Sequence, residues 1–345
     1  MKYIGNKTRL LEFIYDAVLD SGLPKNGTFV DLFSGTGSVG RYFKGKGYKV
    51  ISNDFMTYSY VAQYVLIKLN KIPSFSKISD NGVMSVLDSL NKIDPIKGYV
   101  FDNFAPSGSA ERQYFSDANA MKVDAIRDHI ENWKDKRLLT NDEYQVLVYS
   151  LIDAADFVAN ISGTYGAYLK IWRSMALKDI KLLPPKISDN GLINEVYQKD
   201  ANELVREIKG DIVYLDPPYN QRQYAPNFHI LETLAVWDKQ ILSGKTGQRD
   251  YSSKKSAYSQ KTNATQVFED LINNINAKYI ILSYNNEGII PREEILRILN
   301  KTGHVKEYTT GYRRFRTERD HKKRQYKPVN DRVLEHLFVV KKIYR

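Results

Sequence analysis

Residues 28–53, TFVDLFSGTGSVGRYFKGKGYKVISN, constrain the fold more than any other stretch. They read as a strand over 28–33, a glycine loop, a helix over about 37–45, a glycine turn and a second strand over 48–53. Two strands joined through one helix run parallel, and parallel strands need helices on both faces of their sheet. The class is therefore α/β. Strand-like runs return at DIVYLD (211–216), at YIILSY (279–284), at 305–312 and at EHLFVVKKI (335–343). Helical periodicity marks 9–20, and 291–303 has Pro at its start and Gly at its end. Residues 58–194 carry no strong strand pattern and read as mostly helical. The simplest organisation is one α/β domain built from 1–57 and 195–345, interrupted by a helical module over 58–194. An insertion of that length exceeds any ordinary loop.

The glycine loop carries the pattern G-x-G-x-x-G at Gly35, Gly37 and Gly40. After a strand this suggests a dinucleotide site, which wants an acid about 20 residues beyond the loop. Here Asp54 follows Gly40 by only 14 residues, although it does end the second strand. In either reading its carboxylate suits ribose hydroxyls. Asp31, Phe33 and Ser34 make the loop D-x-F-S-G-x-G. An acid beside the loop suits S-adenosylmethionine, which has an ammonium group and no pyrophosphate. An ordinary turn acid is the competing reading for Asp31 and for Asp54.

DIVYLDPPYN poses the second question. An apolar strand stops at Asp216-Pro217-Pro218-Tyr219. Prolines stiffen the chain and remove donors, and an acid is costly to bury without a partner. The stretch is built to hold one carboxylate, one unpaired carbonyl and one ring in fixed geometry.

Charge locates a partner. The net charge is +11, of which residues 311–332 carry +6 and residues 239–261 carry +5, so the other 300 residues are neutral overall. Concentrated positive charge on a neutral body is the footprint of a polyanion binder. Tyr251, Tyr258, Tyr312, Tyr326 and Phe315 lie among these charges, where rings could stack on bases. The chain has no cysteine, which excludes disulfides, thiolate metal sites and cysteine nucleophiles. No His and acid cluster has ligand spacing, so no metal is expected. No apolar run approaches the roughly 20 residues of a membrane helix. The N-terminal MKYIGNKTRLLEF has no cleavage-site pattern, so a cytoplasmic protein without a secretory signal is expected.

D-L-F-S-G-T-G (31–37) followed by a distant D-P-P-Y (216–219) resembles the adenine-N6 DNA methyltransferases of restriction–modification systems. Y-I-G-N-K (3–7) is similar to their opening motif, and the order of motifs matches the alpha group of that family. The resemblance implies a Rossmann-like S-adenosylmethionine-dependent fold with a seven-stranded sheet, a terminal β-hairpin and an inserted target-recognition domain. It implies Tyr3, Asp31, Phe33, Ser34, Gly35, Gly37, Asp54, Asp200, Ala201 and Asp216 as cofactor-binding residues. It implies Asp216, Pro217, Pro218 and Tyr219 as the catalytic group. The carboxylate and the Pro217 carbonyl would grip the two hydrogens of an amino group, and Tyr219 would stack on the base. The target base must be flipped out of its duplex to reach such a pocket. Lys7, Arg222 and Tyr224, with Arg313, Arg314, Arg316, Lys322, Lys323 and Arg324 of the basic run, are the expected substrate and DNA contacts. His229 is read as structural. Double-stranded DNA is the expected partner and a monomer the expected state, and the resemblance admits a cognate restriction endonuclease acting on the same site.

Cytosine N4 and RNA adenine are the alternative acceptors, although cytosine-N4 enzymes more often carry Ser where Asp216 stands. Cytosine-C5 chemistry needs a thiolate that this chain lacks. A protein glutamine does not explain the basic arms. A silent binding module does not explain an intact D-P-P-Y.

Overall fold

The computed structural model describes residues 7–313 and 332–343, with the backbone alone at 312, 313, 332 and 333. Seven strands form one sheet: β1 (Thr28–Asp31), β2 (Lys49–Asn53), β3 (Glu195–Tyr197), β4 (Gly210–Leu215), β5 (Ala277–Asn285), β6 (Gly303–Arg313) and β7 (Arg332–Lys342). Their order is β3-β2-β1-β4-β5-β7-β6. The first five are parallel, and β7 runs antiparallel between β5 and β6. The expected terminal hairpin is therefore present, and its second strand inserts into the sheet instead of extending the edge.

The central strands are apolar on both faces, as a sheet covered on both sides requires. Phe29 and Val30 of β1, and Ile212, Val213, Tyr214 and Leu215 of β4, are buried. Helices α1 (Leu11–Asp20) and α2 (Ser38–Gly45) follow the sequence expectation closely. Phe29 of β1 stacks on Phe43 of α2, with ring centroids 3.8 Å apart. Val30, Val213, Ile280 and Leu282 belong to a second core with residues of the helices Ala201–Leu204, Ala264–Asn274 and Arg292–Thr302.

The chain divides into two compact units. Among the described residues, one is 56–189 and 224–253, and the other is 7–55, 190–223, 254–313 and 332–343. The first is helical: α3 (Thr57–Gln63), α4 (Gly82–Lys92), α5 (Tyr99–Phe104), α6 (Asp117–Asp135) and α7 (Asn141–Val158) share its core. α7 opens with a capping box between Thr140 and Glu143, a reciprocal satisfaction of two backbone donors. Sequence reading leaves 224–253 with the α/β part, and here the structure differs. Ala225, Phe228, Ile230, Leu231 and Leu234 bury themselves in the helical core, so this stretch joins the helices. The second unit holds the sheet, with α8 (Ala201–Leu204), α10 (Ala264–Asn274) and α11 (Arg292–Thr302); α9 (His229–Val236) belongs to the first.

Candidate active site

Four neighbouring parallel strands, β3, β2, β1 and β4, each lead at the carboxyl end into an acid: Asp200, Asp54, Asp31 and Asp216. The chain runs outward from β1 through β2 to β3, then returns to β4 on the other side of β1. That reversal makes the β1/β4 junction the switch point where open α/β sheets bind ligands. Asp31 pairs in register with Tyr214, so Asp216 follows two residues beyond that partner.

Gly35 (φ 54°) and Gly37 (φ 82°) adopt left-handed backbone that L side chains rarely enter, and this turns the chain from β1 into α2. The loop folds back on Asp31, whose Oδ2 accepts from Ser34 Oγ at 2.8 Å and from the Gly40 amide at 3.1 Å. Its Oδ1 is buried without a hydrogen-bond partner among the described residues. Burial raises the Asp31 carboxyl from 3.8 to about 7, and the charges of Asp216 and Asp54 push it the same way. Asp54 Oδ2 accepts from the Gly35 amide at 2.9 Å. Phe33 is half-buried and meets the edge of Tyr258 at 5.1 Å. Asp200 is exposed and uses Oδ1 to cap α8, accepting from the amides of Asn202 and Glu203, while Ala201 is buried behind it.

At the end of β4, Asp216 is partly buried and Pro217 buried. The Pro217 carbonyl takes no hydrogen bond from any described residue. Tyr219 accepts from the Ile289 amide through its own carbonyl at 2.9 Å, and its ring stands edge-to-face on Tyr284 at 6.2 Å. Of the target-base or phosphate contact expected of Lys7, the structure departs from the phosphate alternative. A contact to a phosphate needs an exposed ammonium, yet Lys7 is 5% exposed and paired with Asp216 Oδ1 at 3.2 Å and Glu335 Oε1 at 2.6 Å. Burial alone pulls its pKa down, but Asp216 and Glu335 outweigh that and hold it well above the usual lysine value. Asp216 is likewise raised to about 7, by burial first, against the pull of Lys7 and with a push from Glu335.

The structure brings Lys7, Asp31, Phe33, Ser34, Gly35, Gly37, Asp54, Asp200, Ala201, Asp216, Pro217, Pro218 and Tyr219 into the α/β unit. Arg222 is exposed in the same unit, whereas Tyr224 packs half-buried against the helical core. His229 is buried between the carbonyls of Pro226 and Thr246, both at 2.9 Å, and burial lowers its pKa, in keeping with a structural role. Tyr3, Arg314, Arg316, Lys322, Lys323, Arg324, Phe315 and Tyr326 lie outside the described residues, and Arg313 and Tyr312 are described by backbone alone.

Two expectations about the 239–261 segment need correction. Tyr258 does not await a base: it is 4% exposed, with its hydroxyl donating to Asn202 at 2.6 Å. Half of the basic residues are also engaged within the chain, Lys239 with Asp128 at 2.9 Å, Arg249 with Asp238 at 2.7 Å and Lys254 with the Phe55 carbonyl at 2.7 Å. Lys245, Lys255 and Lys261 stay exposed. Sequence reading missed Glu335 and Ser283. An acid opening the apolar run EHLFVV was the signal available. Among the described residues no group of His and acids could hold a metal ion, and no helix is long and apolar enough to cross a membrane.

The family description "D12 class N6 adenine-specific DNA methyltransferase" matches residues 3–298. The chain belongs to this family. The chain is 39% identical over 347 residues to the Type II methyltransferase M.NlaIII of Neisseria lactamica, covering all of both chains. It is 39% identical to the Type II methyltransferase M.FokI of Planomicrobium okeanokoites, covering 99% of this chain and 53% of that one. It is 45% identical to the modification methylase StsI of Streptococcus sanguinis, covering 87% and 46%. The chain thus spans about half the length of M.FokI and StsI and the full length of M.NlaIII. Membership of this family implies a methyl donor, and it does not favour cytosine N4 or RNA adenine as acceptor.

Proposed function

We propose that this methyltransferase moves a methyl group from S-adenosylmethionine to the N6 amino group of an adenine flipped out of duplex DNA. The observation that carries this is the strand end Asp216-Pro217, which offers a partly buried carboxylate oxygen and a carbonyl, neither bonded to a described donor. Two acceptors of that kind suit the two hydrogens of one amino group. Gripping both draws the nitrogen towards tetrahedral geometry and frees its lone pair. Tyr219, braced by Tyr284, offers a ring for the adenine to stack against.

The residues present fit the donor. Four acids at adjacent strand ends would repel the pyrophosphate of a dinucleotide but suit an ammonium and a sulfonium. The unpartnered Oδ1 of Asp31 suits the ammonium, Asp54 the ribose hydroxyls, and Phe33 and Asp200 the adenine moiety. When bound, the sulfonium supplies an electrophilic methyl carbon, and the N–C bond forms as the C–S bond breaks. Asp216 Oδ2 is the acceptor available for the proton that N6 then loses. Holding the amine in line with the donor supplies most of the acceleration.

The helical unit suits target recognition, and the basic segments suit the phosphates. The names of the relatives support a role in restriction–modification, with an endonuclease acting on the same site, and one active site per strand suits a monomer. The test is to incubate the chain with S-adenosylmethionine and, in separate reactions, genomic DNA from a methylation-deficient strain or unmodified RNA, then digest to nucleosides. N6-methyladenine is expected; N4-methylcytosine in its place, or methylation confined to RNA, overturns the reading.

A further inference from the structure

Glu335 lies on β7, opposite Asn285 of β5, and is 1% exposed. It is not part of the glycine loop or of the D-P-P-Y strand. Its Oε1 accepts from two side chains, the Lys7 ammonium at 2.6 Å and the Ser283 hydroxyl. Its Oε2 is buried and takes no hydrogen bond from any described residue. Lys7 in turn reaches Asp216 Oδ1 at 3.2 Å. The result is a line of buried charge, Glu335 to Lys7 to Asp216, with two acids and one base.

Stability does not account for this arrangement. Burying two carboxylates and one ammonium costs several kcal/mol per ion before pairing, and apolar side chains of similar volume often do as well or better. Lys7 and Asp216 alone would form a neutral pair. Adding Glu335 makes the line net negative, and the ammonium sits nearer the added acid than the catalytic one. Lys7 then fixes the orientation of Asp216 without fully neutralising it.

We propose that Glu335 is a positioning residue for methyl transfer: it anchors Lys7, which holds Oδ1 of Asp216 and leaves Oδ2 a strong acceptor for the target amine. This rests on the reading of Asp216 given above. The titratable groups that bear on Asp216 are Lys7, Glu335, the buried Tyr214 of the same strand and Asp31 at the neighbouring strand end. Of these, Lys7 draws the proton affinity of Asp216 down and Glu335 pushes it up. Removing the charge of Glu335 therefore gives Asp216 the whole pull of the ammonium.

Glu335→Gln keeps the shape and an amide oxygen for Lys7 and Ser283. The measurement is the single-turnover rate of methyl transfer, with labelled S-adenosylmethionine and genomic DNA from a methylation-deficient strain, across pH 5.5 to 9. For Glu335→Gln the acid limb is expected to move down by about one pH unit, the order contributed by one nearby buried like charge. The plateau rate is expected to fall several-fold, with the dissociation constants for donor and DNA unchanged. A limb and plateau equal to wild type overturn the proposal. So does a rate loss fully explained by weaker donor binding. If Glu335→Gln fails to fold, Ser283→Ala removes one of the two bonds fixing Glu335 and leaves every charge in place. It is expected to lower the plateau several-fold with KM unchanged, and a wild-type plateau overturns the proposal. Asp216→Ala run beside them separates the failures. Transfer by that variant sinks the assignment of the site, whereas a dead Asp216→Ala beside a wild-type Glu335→Gln profile sinks only the role of Glu335.

Discussion

Asp31→Asn should change stability in a way that reports why the acid is there. The wild-type carboxyl is raised from 3.8 to about 7, chiefly by burial. The folded state therefore binds its proton more tightly than the unfolded state. Stability falls as pH rises between about 4 and 7, and the whole penalty is present above 7. Between pH 5 and pH 8 the two states differ over about two pH units, which is about 3 kcal/mol. Asparagine cannot ionise and escapes that penalty. Its carbonyl oxygen can still accept from Ser34 and Gly40, but its amide nitrogen occupies the place where Oδ1 has no partner, at a cost of about 1–3 kcal/mol. About 1.6 kcal/mol of the penalty is already present at pH 5 and about 4 kcal/mol at pH 8, so the two proteins are near level at pH 5 and the variant is the more stable at pH 8. Urea unfolding at both pH values measures this, and the titrations of groups that do not interact with Asp31 cancel in the mutant-minus-wild-type difference. A difference that stays constant within about 1 kcal/mol from pH 5 to pH 8 would refute the claim that Asp31 is held against its ionisation. The same variant should lose most of its affinity for S-adenosylmethionine by calorimetry, because the acceptor for the donor's ammonium is gone.

The remaining predictions concern the pocket and the basic run. Asp216→Ala should abolish methyl transfer while DNA binding in a gel-shift assay is retained; transfer near the wild-type rate refutes the role of the carboxylate. Tyr219→Ala should lower the single-turnover rate by tenfold or more, since stacking on one ring is worth about 1–3 kcal/mol, while Tyr219→Phe should stay within about threefold; equal rates for the two variants refute stacking. Neutralising Arg313, Arg314 and Arg316 should weaken DNA binding and reduce the slope of log K against log salt by about one for each phosphate no longer neutralised. An unchanged slope leaves that run as mere surface charge.

Much of the α/β framework was legible because its signals are local. The glycine turn, the Gly35 and Gly37 spacing and the abrupt D-P-P-Y ending each lie within a few residues, and the strands they mark begin and end within three residues of expectation. β3 was not, since three residues carry too little periodicity to read. The membership of 224–253 was not either: His229–Val236 is apolar enough to pack anywhere, and only the tertiary core decides which unit receives it. Glu335 was hidden for the opposite reason. Its partner Lys7 is 328 positions away, so no window along the chain holds both.

The two ligands of the proposed reaction would make opposite demands on charge. A sulfonium donor is cationic, and a DNA backbone is a dense polyanion. A surface attracting one repels the other within a Debye length of about 8–10 Å. Asp31, Asp54, Asp200 and Asp216 stand at adjoining strand ends, while in the sequence the whole net charge falls in 239–261 and 311–332. Composition alone reports only the sum, +11, and so points to the polyanion and conceals the cation. The sheet order adds the cluster of acids, because residues as far apart in sequence as Asp31 and Asp216 become neighbours only when β1 and β4 pair. A site that holds both Asp31 and Asp216 near pH 7 is costly to fold, and a cationic ligand is the partner that would offset the cost.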